Sequence, residues 1–187
     1  MKRISNWFYS TSTSWAALAA LVVFLLFTSF VLPQQARRSE LKTGSSVSPD
    51  TSFYYSPQEL YRMAERYGEE GRKAYIQARF SFDLIFPLVY TTFLVVLISW
   101  LAGAFIPESS PWRLLNLVPF LGMAFDYLEN ISTSIVMGRF PDPSPLFAAL
   151  ASPITVIKWI FVTGSFFILS ACAVGWIINR FREIRQN

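Results

Sequence analysis

Met123-Ala124-Phe125-Asp126-Tyr127-Leu128-Glu129-Asn130-Ile131-Ser132-Thr133-Ser134 is an apolar run interrupted by two acids. It lies inside a stretch, 114–137, with the length of a membrane-spanning helix, about 17–25 mainly apolar residues. An acid near the middle of such a helix costs about 2.5–3.5 kcal/mol on insertion scales, so two acids need compensation. Asp126, Glu129, Asn130 and Thr133 are spaced i, i+3, i+4 and i+7 and share one helical face. That face is expected to turn inward, away from lipid.

Three more stretches pass the same length test. One covers about 15–33, uncharged and stopped by Pro33. A second covers 83–106 and ends before Pro107. The last covers 152–178 and opens with Ser152-Pro153, a cap residue followed by proline at the first helical position. Trp15, Trp100, Trp112 and Trp176 fall near the ends of these runs, as in interfacial belts. The whole chain agrees: of 187 residues 53% are hydrophobic and only 15% charged, with a mean hydropathy of +0.38. A soluble domain has about 25% charged residues. The expected fold is therefore an all-α integral membrane protein, a single domain forming a four-transmembrane-helix bundle. Lys2 and Arg3 precede the first run, which is longer than the usual signal-peptide core and lacks an A-x-A-like site. It is read as an uncleaved anchor.

With four spans the two termini and the 107–113 turn share one side. That side carries Lys2, Arg3, Arg113, Arg180, Arg182 and Arg185. The opposite side has Arg37, Arg38, Lys42, Arg72, Lys73 and Arg79 near span ends. The two sets tie, and the flank of the first helix favours cytoplasmic termini.

Between the first two spans, 34–56 is polar and serine-rich and reads as a flexible tether. Ser56-Pro57-Gln58-Glu59 then announces a helix start with a capping box, and an amphipathic helix is expected over about 57–80. Its apolar stripe is Leu60, Met63, Ala64, Tyr67, Gly71, Ala74 and Ala78, with a break at Gly68 and Gly71. The stripe suits either the membrane surface or the protein's own loops. The 138–151 connection holds Pro141, Pro143 and Pro145, which enforce an extended segment, and 146–151 reads either as a short apolar helix dipping into the interface or as part of a stiff surface turn.

Depth arithmetic finds partners for the acids. Glu129 lies eight residues before Met137 and Lys158 six after Ser152, so on antiparallel helices their depths agree within about 3 Å. At the same membrane face Arg79 and Asp83 form an i, i+4 pair, and Tyr90 lies further along. The expected ligand-binding set is Arg79, Asp83, Tyr90, Asp126, Glu129, Asn130, Thr133 and Lys158, gathered in one half of the bilayer. The alternative for the same residues is a buried ion-pair network that fixes helix register without touching a ligand. The first span contributes an apolar wall.

The chain has no histidine and one cysteine, Cys172. Those counts exclude bis-imidazole haem, HExxH zinc chemistry, a Ser-His-Asp triad, an internal disulfide and a CxxC redox pair. A net charge of +4 without interleaved basic and aromatic residues does not favour nucleic acid as a partner. No cofactor or resident metal is expected.

Three function classes stay open. The first is binding or translocation of a small cationic, protonatable or lipid-headgroup ligand in the acidic pocket. The second is an accessory subunit of a larger membrane complex or a homo-oligomer, to which the Ala171-x-x-x-Gly175 pattern would lend a packing face. The third is an intramembrane enzyme on a lipid or prenyl substrate. There Asp126 and Glu129 would act as acid and base, or hold Mg²⁺ with Asp83. No catalytic residue can be assigned.

Overall fold

The computed structural model describes residues 1–186, and the described residues form helices and turns with no strand. Helix α1 (Lys2–Thr11) is followed by α2 (Ser14–Leu26), whose first turn is capped by the Thr13 hydroxyl accepting from Ala16 N at 3.2 Å. A π-turn at Phe27–Val31 then carries the chain into α3 (Leu32–Thr43).

The structure corrects two expectations here, the stop at Pro33 and the tether over 34–56. A proline ring clashes with the carbonyl four residues back in a regular α-helix. The wider π-turn directly before Pro33 relieves that clash. The helix runs on through Gln34, Gln35, Ala36, Arg37 and Arg38, good helix formers despite their polarity, until Gly44 ends it at φ 67°. The remaining segment, 44–56, is a strap held at several points, with a 3₁₀ turn at Pro49–Thr51.

Helix α4 (Pro57–Arg79) starts with the expected capping box: Ser56 N donates to Glu59 Oε2 at 2.6 Å and Glu59 N to Ser56 Oγ at 3.2 Å. Gly68, at φ 63° and ψ −179°, breaks the helix in a region open essentially to glycine alone. Gly71 stays helical, and a Cβ there would lie 3.2 Å from the Lys42 carbonyl oxygen. The end of α3 therefore passes directly over it. Beyond the break the inward stripe continues through Gly71, Tyr75 and Arg79 rather than Ala74 and Ala78, because the Gly68 turn re-aims the second half. The stripe packs on Val136 and Met137 of α6 (Val118–Arg139) and on Ala148 and Ala151 of α7 (Pro145–Gln186). Its partner is the protein's own bundle.

Helix α5 (Phe82–Gly103) carries Pro87 near its start. After it, Pro111–Leu117 makes a 3₁₀ turn into α6. Helix α7 begins at Pro145, not at Ser152. Pro145 occupies the first helical position, where its missing N–H is no loss, and Pro153 is carried inside the helix. The proline-rich connection is thus a short turn, and 146–151 is the first part of α7. Ser152, expected as a cap, instead accepts from Tyr55 N at 3.2 Å.

Three helical runs are long and apolar enough to cross a membrane: Ser14–Thr43, Pro57–Gly103 and Pro145–Gln186. They mark a membrane protein. Exposure is inverted accordingly. Val22, Phe30, Leu88, Ile160 and Phe167 are exposed while Arg79, Glu129 and Lys158 are buried. Helix α6 lies among α4, α5 and α7, and its own exposed positions include Leu121, Ala124, Leu128 and Ile131. At the terminal end of the bundle Asn116, fully buried, ties α1 down. It accepts from Ser5 Oγ at 2.8 Å and donates to Ser99 Oγ at 2.9 Å, while Arg113 stacks over the Tyr9 ring at 4.1 Å.

Candidate functional site: an interhelical ion cluster on a cavity

At the opposite end, the start of α5, the second half of α6 and the start of α7 bring polar side chains together. Pro87 creates part of the arrangement. Lacking an N–H, it leaves the Asp83 carbonyl without a helical donor, and Asn130 Nδ2 of α6 donates to that oxygen at 3.4 Å. One position on, Tyr127 OH donates to the Leu84 carbonyl at 2.9 Å. These two backbone oxygens dock α6 on α5.

Glu129 and Lys158 form a direct ion pair, with 1% and 5% of each residue exposed. Two further side chains support it. Thr155 Oγ1 donates to Glu129 Oε1 at 2.6 Å, and Tyr55 OH lies 3.0 Å from Thr155 Oγ1. Thr133 is a structural link, bonding the Glu129 carbonyl at 2.9 Å and accepting from Tyr75 OH at 3.2 Å.

Arg79 is held between two acids, with Nη1 3.2 Å from Asp50 Oδ2 and Nε 2.9 Å from Asp83 Oδ2. Its guanidinium lies 4.6 Å over the Tyr75 ring. The Nε–Asp83 contact is ionic rather than a well-aimed hydrogen bond, so both atoms keep unused bonding capacity. Asp126 differs from the other acids. It accepts from Tyr90 OH at 3.1 Å and has no cation within ion-pair distance among the described residues.

These groups border a cavity of about 570 Å³. Arg79, Asp83, Tyr90, Asp126 and Lys158 line it, while Glu129, Asn130 and Thr133 sit behind and brace the lining. All eight residues expected from spacing therefore belong to one cluster, five of them on the cavity. One wall is apolar, formed by Phe24 of α2, Phe82 and Phe86 of α5, and Val162 and Phe166 of α7, while α3 and the strap close another side with polar residues that include Gln35, Ser39, Glu40 and Ser48. No three carboxylates among the described residues converge as metal ligands, because Glu129 turns to Lys158 and Asp126 to Tyr90. Gly175 is occupied within the chain: a Cβ there would lie 2.6 Å from the Phe105 ring.

Asp50, in the strap, is a member of the cluster that spacing does not reveal. It joins Arg79, its backbone oxygen accepts from Lys158 Nζ at 3.4 Å, and Ser48 Oγ donates to its carboxylate. The neighbouring Ser52 carbonyl accepts from Trp159 Nε1 at 3.3 Å. The only sequence signal for Asp50 is its being the one acid in the serine-rich 44–56 segment, and a single acid carries no period. Burial would raise the Asp50 carboxyl, but Arg79 foremost, then Ser48 and Lys158, hold it below its ordinary value. Folding that lowers an acid's pKa contributes stability in full above the unfolded value, near 4, and loses it as pH falls through the lowered one. Amide protection over 44–56 is thus expected to hold from about pH 7 to about pH 5 and to collapse only below about pH 4, measured by hydrogen exchange corrected for intrinsic rates.

No family model, curated protein or solved structure matches the chain. The reading of the site rests on its geometry.

Proposed function

We propose that the chain crosses the membrane four times with both termini on the cytoplasmic side, and that its cavity binds or translocates a small ligand bearing a cationic or protonatable group. Helix α6 is the fourth span in this reading. It is too polar to qualify by composition, but its polar residues face the bundle, and Leu121, Ala124, Leu128 and Ile131 face outward. The flank of the first span, with Lys2 and Arg3, supports the orientation.

The observation that carries the ligand reading is the charge balance at the cavity. Within the cluster Asp50, Asp83, Asp126 and Glu129 stand against Arg79 and Lys158, four carboxyls against two cations that are already paired, and the exposed Glu40 of α3 adds a fifth acid at the cavity's rim. Intramembrane carboxyls without partners are costly, and a bound cation or transferable protons would balance them.

Native mass spectrometry of the gently purified chain tests this. Wild type is expected to retain a basic small molecule or lipid, and Asp126→Asn to lose about tenfold of that occupancy, the equivalent of about 1.4 kcal/mol. The asparagine can still accept from Tyr90, so its heat stability is expected to stay near that of wild type. Identical spectra for the two proteins would overturn the reading.

A further inference from the structure

The cavity has chemically distinct walls, and one of its sides is not backed by helix-on-helix packing. Helix α2 packs along α5, and α7 packs along α5 and α6, whereas α2 and α7 do not pack along each other. Where they approach at the cavity the wall is Phe24 against Phe166, with ring centroids 6.1 Å apart. On the aqueous side the strap covers the cavity, pinned through Asp50 to Arg79 and through Ser52 to Trp159. On the α2–α7 side, by contrast, the wall is closed by side chains alone, and that side borders the exposed apolar faces of the two helices.

We infer that the occupant is a single-chain amphiphile with a protonated amine head, admitted from the bilayer between α2 and α7. Its ammonium would meet Asp126, and its chain would lie along Phe24, Phe86, Val162 and Phe166. This rests on the reading of the cavity as a ligand site and names the class of ligand.

Each part of that description has its own reason. The head is cationic because Lys158 is committed to Glu129, and Arg79 to Asp50 and Asp83, so an anionic head finds no free partner. A hydroxyl head would leave the Asp126 charge uncompensated in a low-dielectric setting. An ammonium, which donates three N–H groups, supplies Asp126 on the lining with the charge-assisted donor that the protein does not. A tail is needed because a bare small cation would leave the aromatic wall empty or wet, and buried apolar area gains about 25 cal/mol per Å² when covered. The volume, about 570 Å³, falls among small-ligand pockets of about 300–1,000 Å³ and favours one chain over two. Asp126 lies one helical turn deeper than Glu129, about 4.5 Å, which places the head below the interface.

The test is photolabelling of the full chain in lipid nanodiscs with a hexadecylamine carrying a mid-chain diazirine, followed by peptide mapping. Phe167, 72% exposed on the outer face of α7, reports simple partition into lipid and serves as the reference. Labelling at Phe24, Val162 and Phe166 relative to Phe167 is expected to be competed by plain hexadecylamine and not by hexadecanol or hexadecanoic acid. It should fall about tenfold in Asp126→Asn and persist in Asp126→Glu. Equal competition by the alcohol or the acid would overturn the amine head. Competition by butylamine as strong as by hexadecylamine would overturn the amphiphile and leave a small-cation site standing. Insensitivity of both amines to Asp126→Asn would remove this inference and the ligand reading together.

Discussion

Lys158→Met is expected to lower the unfolding free energy by about 3–5 kcal/mol, the usual loss when one partner of a buried ion pair is removed. The insertion penalty for a lone acid within a span, about 2.5–3.5 kcal/mol, points to the same size. Methionine fills the volume of the lysine stem, so the loss is electrostatic and not a cavity effect. What remains is Glu129, 1% exposed, with only the Thr155 hydroxyl to satisfy its carboxylate. The double variant Lys158→Met/Glu129→Gln is expected to recover most of the loss, since the amide that replaces the carboxylate keeps an acceptor for Thr155 and carries no charge. Unfolding titrations of the chain in mild detergent against a denaturing one measure both. If the double variant is as unstable as the single one, Lys158 acts through its stem packing or its bond to Asp50, and the pair with Glu129 is secondary.

That pair is legible from residue counting because it depends on two quantities the sequence carries locally, helical rise and the positions where apolar runs end. The same holds for Asp126, Glu129, Asn130 and Thr133, whose shared face follows from a period of about 3.6. The start of α4 is legible for a related reason: a capping box is a four-residue device, complete within Ser56 to Glu59. Prolines mislead where their context is tertiary. Pro33 reads as a stop, but a π-turn accommodates it, and that turn leaves no mark on the hydropathy pattern. Pro145 and Pro153 both suit a first helical position, and spacing alone does not say which one opens the helix. Asp50 is illegible for a different reason. Its partners Arg79 and Lys158 lie far along the chain, and a strap without a repeat offers no phase from which to infer the contact. The cavity itself is walled by α2, α3, the strap, α5, α6 and α7 together, and that arrangement has no one-dimensional signature.

Arg79→Met is the second large effect, and its rescue pattern should differ from that of Lys158. Arg79 serves two acids on two elements, Asp50 in the strap at 3.2 Å and Asp83 on α5 at 2.9 Å. Removing it strands both, with a cost of about 3–5 kcal/mol for a buried pair broken on one side. It also frees the strap, because the Asp50 carboxylate is the strap's charged anchor. Restoring one acid is then insufficient: Arg79→Met with Asp83→Asn still leaves Asp50 unpaired, and only the further change Asp50→Asn is expected to return stability toward wild type. Arg79→Lys should recover part of it, since an ammonium supplies charge but not the planar fork that spans two carboxylates and stacks on Tyr75. The strap gives an independent readout. Exchange protection over 44–56 is expected to fall in Arg79→Met and in the double variant with Asp83→Asn. It should stay low in the triple variant even where global stability returns, because the neutral amide introduced by Asp50→Asn has neither a charge of its own nor a cation at position 79 to hold it. Full stability in Arg79→Met alone would mean that both acids are protonated in the native protein, and the charge balance that assigns a cationic ligand to the cavity would fall with it.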